Sequence, residues 1–303
     1  MGKTNNKEYI LDNALKLLLD SYNISTNEDY ENALREIIQY LSLLGLWRSK
    51  FFEYAAFYGG TALRMFYGLR RYSEDIDFSL IKPNSEFNIT PFLNSIQNEL
   101  TGFGFNMQVL PRKKTTNIES AFIKGNTIQN LLIIETPDLI LTKLPKNKVL
   151  KVRFELDTEP PEHASYQVKT LLIPFPFQVK LFSLSDLFAG KMHAVLCRKW
   201  KHRIKGRDFY DMLWYIGKGV ECNLKHLQDR MEQTNDWQNN KILNIRDVQE
   251  LLYERFIKIN FDIAKDDITP FINDMAEISL WSRDFFIERI AEIKFLGADS
   301  ENT

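Results

Sequence analysis

Cysteine is nearly missing from this chain: Cys197 and Cys222 are the two among 303 residues. That is too few for a disulfide framework or a cysteine-only zinc site, and it is the usage a reducing cytoplasm allows, so a cytoplasmic location is expected. Long apolar runs are missing as well. Charge interrupts every one before the roughly 18 residues a membrane span needs, and the start, MGKTNNKEYILDNALKLLLD, has no sustained apolar segment with a small-residue cleavage site. Neither a signal peptide nor membrane insertion is expected. Neither sign of charge dominates, with 39 Lys and Arg against 40 Asp and Glu, so any phosphate-binding site must be local. What is present is ordinary for a globular protein: 44% hydrophobic and 26% charged residues exclude disorder or a fibrous architecture as the main theme.

Tyr30, Ala33, Leu34, Ile37, Ile38 and Leu41 recur at spacings of three and four, which puts one apolar stripe on a helix with Asn27 as its cap. Ile10, Ala14, Leu15 and Leu18 repeat the pattern upstream. From about residue 51 to 177, β-prone runs at 76–80, 105–110, 131–135, 149–157 and 168–175 interleave with helical segments at 61–67 and 90–100, the pattern of a mixed sheet with helices. After Ser183 the helical period returns. The expected fold is α+β, divided into an N-terminal helical segment (1–47), a sheet-containing core (48–182) and a C-terminal helical region (183–303).

The stretch YGGTALRMFYGLRRYSEDIDFSL, residues 58–80, joins a Gly-Gly-Thr turn, a short helix and an acidic strand. Gly59 and Gly60 let backbone approach a ligand closely, and Thr61 is placed to cap a helix whose first amides attract phosphate oxygens. On the strand, side chains two apart share a face, so Asp75, Asp77 and Ser79 lie together opposite Ile76, Phe78 and Leu80. Adjacent carboxylates repel one another unless a cation neutralises them, and hard Mg²⁺ or Mn²⁺ suits such oxygen ligands. In KVRFELD, Lys151, Arg153, Glu155 and Asp157 share one face. Glue for a three-carboxylate cluster therefore comes from Glu155 or Asp157, and Asp157, at the strand end, is the favoured third ligand. Arg71 and Ser73, between helix and strand, are further candidate nucleotide contacts.

Seven Lys or Arg fall between positions 191 and 207 with no acid among them, a local basic patch. On a helix from about Ser185, Lys191 sits at the margin of the buried face, where an ammonium can hold triphosphate charge. Arg207 precedes Asp208 and Asp211, which lie three apart on one helical face and are equally suited to capping a helix or pairing with the basic segment. His193 and Cys197, four apart, have the spacing of half a zinc site, but no second pair in the sequence completes it.

GGTALRMFYGLRRYSEDIDFSL, KVRFELDTEPP, LFAGKMHAVLCRKW and KGRDFYDMLWY resemble, in order, successive blocks of the AbiEii/AbiGii-type toxin branch of the minimal nucleotidyltransferases. The resemblance implies a minimal nucleotidyltransferase-like mixed sheet with flanking helices. It implies the toxin of a toxin–antitoxin or phage-defence pair, moving NMP from an NTP to an RNA (tRNA included) or protein acceptor with release of pyrophosphate. Asp75, Asp77 and Asp157 would be metal ligands, and Lys191 and Asp208 further catalytic residues. Gly59, Gly60, Thr61, Arg71, Ser73, Arg207 and Asp211 would contact nucleotide, and an antitoxin would be the partner. The competing readings are a catalytically weak relative that sequesters nucleotide or RNA, and a transferase for small molecules.

Overall fold

A computed structural model describes residues 22, 24, 26–112, 118–133, 141–200, 203–238 and 241–296. The expected upstream stripe over residues 10–18 lies outside them. The first described helix, α1 (Asn27–Arg48), is capped by Thr26 rather than by Asn27. The Thr26 hydroxyl accepts from the Asp29 amide at 3.1 Å, and the Asp29 carboxylate accepts from the Thr26 amide at 2.8 Å. This reciprocal bond satisfies two orphan groups and outcompetes a one-sided cap. The predicted stripe is buried from Ala33 to Leu41.

The chain continues through β1 (Ala55–Tyr58), α2 (Gly59–Tyr67), β2 (Asp75–Leu80), α3 (Thr90–Gly102), β3 (Gln108–Pro111), β4 (Ile118–Asn126), α4 (Thr127–Ile133), β5 (Val149–Asp157), β6 (Tyr166–Leu171) and β7 (Phe177–Phe182). Then follow α5 (Leu184–Cys197), α6 (Gly206–Gly217), β8 (Glu221–Asn223), α7 (Leu224–Gln233), α8 (Ile245–Phe256), α9 (Phe261–Ile268), α10 (Arg283–Arg289) and β9 (Lys294–Leu296). Among the described residues the strands form a seven-stranded mixed sheet in the order β3-β4-β5-β2-β1-β7-β6, and a two-stranded ribbon of β8 and β9. The α+β class with a mixed sheet is as expected. The run 131–135 is not a strand where it is described: residues 131–133 end α4, because a short apolar run carries no period that separates helix from strand. β4 was not anticipated; its inward side chains include only Ala121 and Ile123 as fully buried apolar groups, a weak alternation.

Two compact units emerge. One comprises the described residues up to Ala62 with Ser73–Pro160 and Val168–Leu181; the other comprises Leu63–Tyr72, Pro161–Gln167 and the described residues from Phe182 onward. In the first, α1 lies close against α3, since a Cβ on Gly45 would meet the Ser95 carbonyl oxygen at 2.9 Å. Its core centres on Phe78, whose ring lies 5.1 Å from each of Phe51, Phe57 and Phe154. In the second, Phe209, Phe256, Phe261 and Phe286 form the aromatic centre, with Phe261 and Phe286 stacked at 4.5 Å. No helix among the described residues is long and apolar enough to cross a membrane.

Phe78 is fully buried, so Phe78→Ala should lower unfolding free energy by about 3–5 kcal/mol. Urea unfolding measures this, and a loss under about 1 kcal/mol would contradict the central place given to that ring.

Candidate active site

β2 puts Ile76, Phe78 and Leu80 into the core and leaves Asp75 and Asp77 half-buried on the other face. The register decides their neighbours. Asp77 lies between Tyr58 of β1 and Glu155 of β5, Asp75 lies opposite Arg153, and Ser79 lies opposite Asp157. Glu155, and not the favoured Asp157, is therefore the carboxylate directly across from Asp77. Asp157 sits two positions further along, where its Oδ1 accepts from the Glu159 amide at 3.0 Å, the local role of a turn-forming aspartate.

Arg153 Nη1 donates to Glu155 Oε1 at 2.6 Å. That bond raises the guanidinium pKa above its ordinary value, burial opposes it, and the charges of Glu155, Asp75 and Asp77 add to the rise. One cation thus already feels all three carboxylates. A single positive charge cannot balance three negative ones, and the donor set is the all-oxygen type that hard divalent cations prefer.

Gly59 has φ +83°, and a Cβ built on it would lie 2.5 Å from Asp77 Oδ2. The Asp77 carboxylate occupies the space that any side chain at 59 would need. α2 begins at Gly59 itself, which corrects the reading of Thr61 as its cap. Thr61 is buried in the first turn, and its hydroxyl donates to the Asp75 carbonyl oxygen, so that hydroxyl ties helix to strand. What remains for a phosphate at this end are first-turn amides, which have no partner within their own helix.

In the second unit the sequence-predicted charges form a chain of pairs. Arg71 grips Asp211 through two bonds of 2.6 Å, and its Nη1 donates to the Tyr72 carbonyl at 2.9 Å. Lys191 Nζ lies 2.8 Å from both Asp208 and Asp211, and Arg198 pairs with Asp208. Burial works to raise the Asp211 carboxyl pKa, yet the Arg71 and Lys191 charges and hydrogen bonds outweigh it and hold the carboxyl below its usual value. Burial likewise works to lower the Arg71 pKa, and Asp211 more than reverses it. Arg71 is 3% exposed, and its guanidinium is taken up by Asp211 and the Tyr72 carbonyl.

A family model described as "Nucleotidyl transferase AbiEii toxin, Type IV TA system" matches residues 42–289. The chain belongs to the AbiEii toxin family. A search of curated proteins found no match. Among solved structures, one chain described provisionally as a nucleotidyltransferase from H. pylori is 16% identical, with a TM-score of 0.44, covering 84% of this chain and 89% of its own. JHP933 from Helicobacter pylori is 17% identical, with a TM-score of 0.40, covering 88% of this chain and 90% of its own. Family membership makes the protein a toxin–antitoxin nucleotidyltransferase and implies a nucleotide substrate and an antitoxin partner.

Several cations in the basic run of this AbiEii-family chain are paired. Lys191 and Arg198 are engaged as above, Arg203 pairs with Asp267, and the Arg207 guanidinium lies 4.2 Å from the centre of the Phe271 ring. Lys199 is exposed, and Lys201 lies outside the described residues. Ser73 is half-buried, and its carbonyl accepts from Gln39 Nε2 at 3.0 Å. Arg198 finds Asp208, one of the pairings with the basic segment that the sequence allowed, whereas Asp267, the partner of Arg203, was not foreseen, since it is 64 residues away.

Asp211→Ala would leave Arg71 buried without its carboxylate and should cost about 3–5 kcal/mol of stability. Because the folded carboxyl pKa is depressed, the stabilisation is complete above the ordinary aspartate value of about 3.9 and declines as pH falls through the folded value. Urea unfolding of wild type and Asp211→Asn at falling pH should therefore converge only in acid. A gap that widens on acidification would contradict this assignment.

Proposed function

We propose that the protein transfers a nucleoside monophosphate from an NTP to a hydroxyl of an RNA or protein acceptor, releasing pyrophosphate, and that an antitoxin restrains this activity. The observation that carries the reading is the close approach of Gly59 to Asp77, with Asp75, Asp77 and Glu155 on one face. Those three carboxylates would hold Mg²⁺ or Mn²⁺, which when bound supplies Lewis acidity to the acceptor hydroxyl and screens charge on the leaving pyrophosphate.

The chain's own residues are assigned as follows. The first-turn amides of α2 attract the triphosphate, and Gly59 lets the Asp77 carboxylate lie against the start of that helix. Arg153 orients Glu155 through their hydrogen bond. Asp157 supports the turn that ends β5. Lys191 and Asp208 are proposed to act in transfer on the strength of the family's block order, and Arg71 with Asp211 to hold them in position. The sequestration reading would need the basic run to hold an RNA backbone, and there Arg198 and Arg203 are paired with aspartates.

Incubation with NTPs labelled at the α-phosphate, followed by separation of RNA from protein, tests the reading and names the acceptor. Asp77→Asn should lower label transfer at least about a hundredfold, the scale of losing one preorganised electrostatic group. Without added metal its melting temperature should not fall, since carboxylate repulsion is relieved. Near wild-type transfer by this variant would remove β2 from the site.

A second comparison concerns β5. Glu155→Gln should depress transfer far more than Asp157→Asn, a reading supported by the pairing of Asp77 with Glu155. The reverse order, read in the same assay, would restore Asp157 as the third carboxylate.

A further inference from the structure

Among the described residues, the proposed transfer chemistry leaves one group of metal-ligating side chains unused. α5 ends with His193 and Cys197 one turn apart, and side chains four apart on a helix lie on the same side. After α7, Thr234 closes the helix, Asn235 takes a left-handed backbone with φ 58°, and the Asp236 amide donates to the Met231 carbonyl at 2.8 Å. This tight turn returns Asp236 to the helix end. A ring nitrogen of His193, Sγ of Cys197 and a carboxylate oxygen of Asp236 all lie within 4.8 Å of one another.

We propose that His193, Cys197 and Asp236 form a binding site for a transition-metal dication of the Zn²⁺ class, distinct from the acidic strand. A nitrogen, a sulfur and an oxygen donor suit Zn²⁺ or Co²⁺ and do not suit Mg²⁺, which prefers oxygen throughout. Three protein ligands leave a fourth position for water. The Thr234 hydroxyl lies 2.6 Å from Asp236 Oδ2 and 3.0 Å from His193 Nε2, so one outer group already ties two of the ligands, the role such groups play around bound metals.

Protonation agrees with this geometry. Burial, followed by the charge of Arg230, holds the His193 pKa down to about 4, so the ring is neutral at physiological pH. Burial first, and then Asp236, pushes the Cys197 thiol up to about 12. Metal binding therefore breaks an S–H bond, forms a metal–sulfur bond and releases one proton to solvent. Arg198, Arg230 and Arg255 also face the cluster. Arg198 is held by Asp208, and Arg255 by the Val195 and Arg198 carbonyls. Their charge balances thiolate and carboxylate, and it makes binding weaker than at an all-cysteine site.

Co²⁺ titration of the full-length, chelator-treated protein tests the proposal, because a thiolate-to-cobalt absorption band cannot arise from the Asp75 and Asp77 face. One equivalent should produce the band, and Zn²⁺ should bleach it. Cys197→Ser should abolish the band and Asp236→Asn should weaken Co²⁺ binding at least about tenfold, while Asp77→Asn and Cys222→Ala should retain the band. Zn²⁺ should also protect Cys197 of the unmutated chain from alkylation, read by peptide mass, which keeps the test independent of whether a variant folds. Absence of the band in the unmutated protein, its persistence in Cys197→Ser, or alkylation of Cys197 indifferent to Zn²⁺ would overturn the site.

Discussion

A carboxylate can rest against a peptide backbone only where no side chain intervenes, and the acidic face of the first unit depends on that constraint at Gly59. The Asp77 carboxylate fills the volume a Cβ would take, while the Thr61 hydroxyl, two residues on, bonds the Asp75 carbonyl. Strand and helix are thereby fixed at both aspartates. The partial positive charge of a helix N-terminus, about half an elementary charge, then lies beside two carboxylates and moderates their repulsion. The same arrangement keeps first-turn amides and carboxylate oxygens in one place, which is what a triphosphate with its cation needs. An alanine at 59 would be strained in conformation and short of space together.

Electrostatics in the second unit obeys a different constraint, because Arg71, Asp208 and Asp211 are buried. Arg71, Lys191 and Arg198 alternate with Asp208 and Asp211 along a line of pairs. Removing a charge from water costs several kcal/mol unless a partner with good geometry compensates. The two-bond grip of Arg71 on Asp211 supplies such geometry, and Lys191 shares the remaining capacity of both acids. Three cations against two anions leave one positive charge, so the network carries a positive field without exposing a row of cations.

Period-2 patterning made β2 and β5 readable from sequence, since each buries one face and wets the other. β1 offered no such pattern: Ala55, Ala56 and Phe57 are all fully buried, as befits a central strand covered on both faces. The shared faces of the acidic strands were readable, but not their register. Face sharing along β5 follows from sequence, but which of Glu155 and Asp157 meets Asp77 depends on the β2–β5 alignment, a tertiary property. The partners of the basic run were hidden for the same reason. A count of seven cations between 191 and 207 says nothing of acids such as Asp267 that arrive from far along the chain. His193 and Cys197 were visible as a pair, and Asp236 became their neighbour only through a turn 39 residues beyond Cys197.

One helix connects the polar constellations of the second unit. Within α5, Asp186 accepts from the Ser165 amide and hydroxyl, the Ser183 hydroxyl and Asn223 Nδ2 at 2.6–2.7 Å, which fastens its first turn. At 3.6 residues per turn, His193 and Cys197 fall within about 20° of Asp186 around the axis, whereas Lys191 is rotated about 140° away. The helix thus carries Lys191 on one side and, on the other, a carboxylate at its start and the His–Cys pair at its end. A metal at that end would fix the last turn of the helix as Asp186 fixes the first. Lys191 lies between the two fastenings, so its direction toward Asp208 and Asp211 would depend on α5 as a rigid body and not on its own flexible stem.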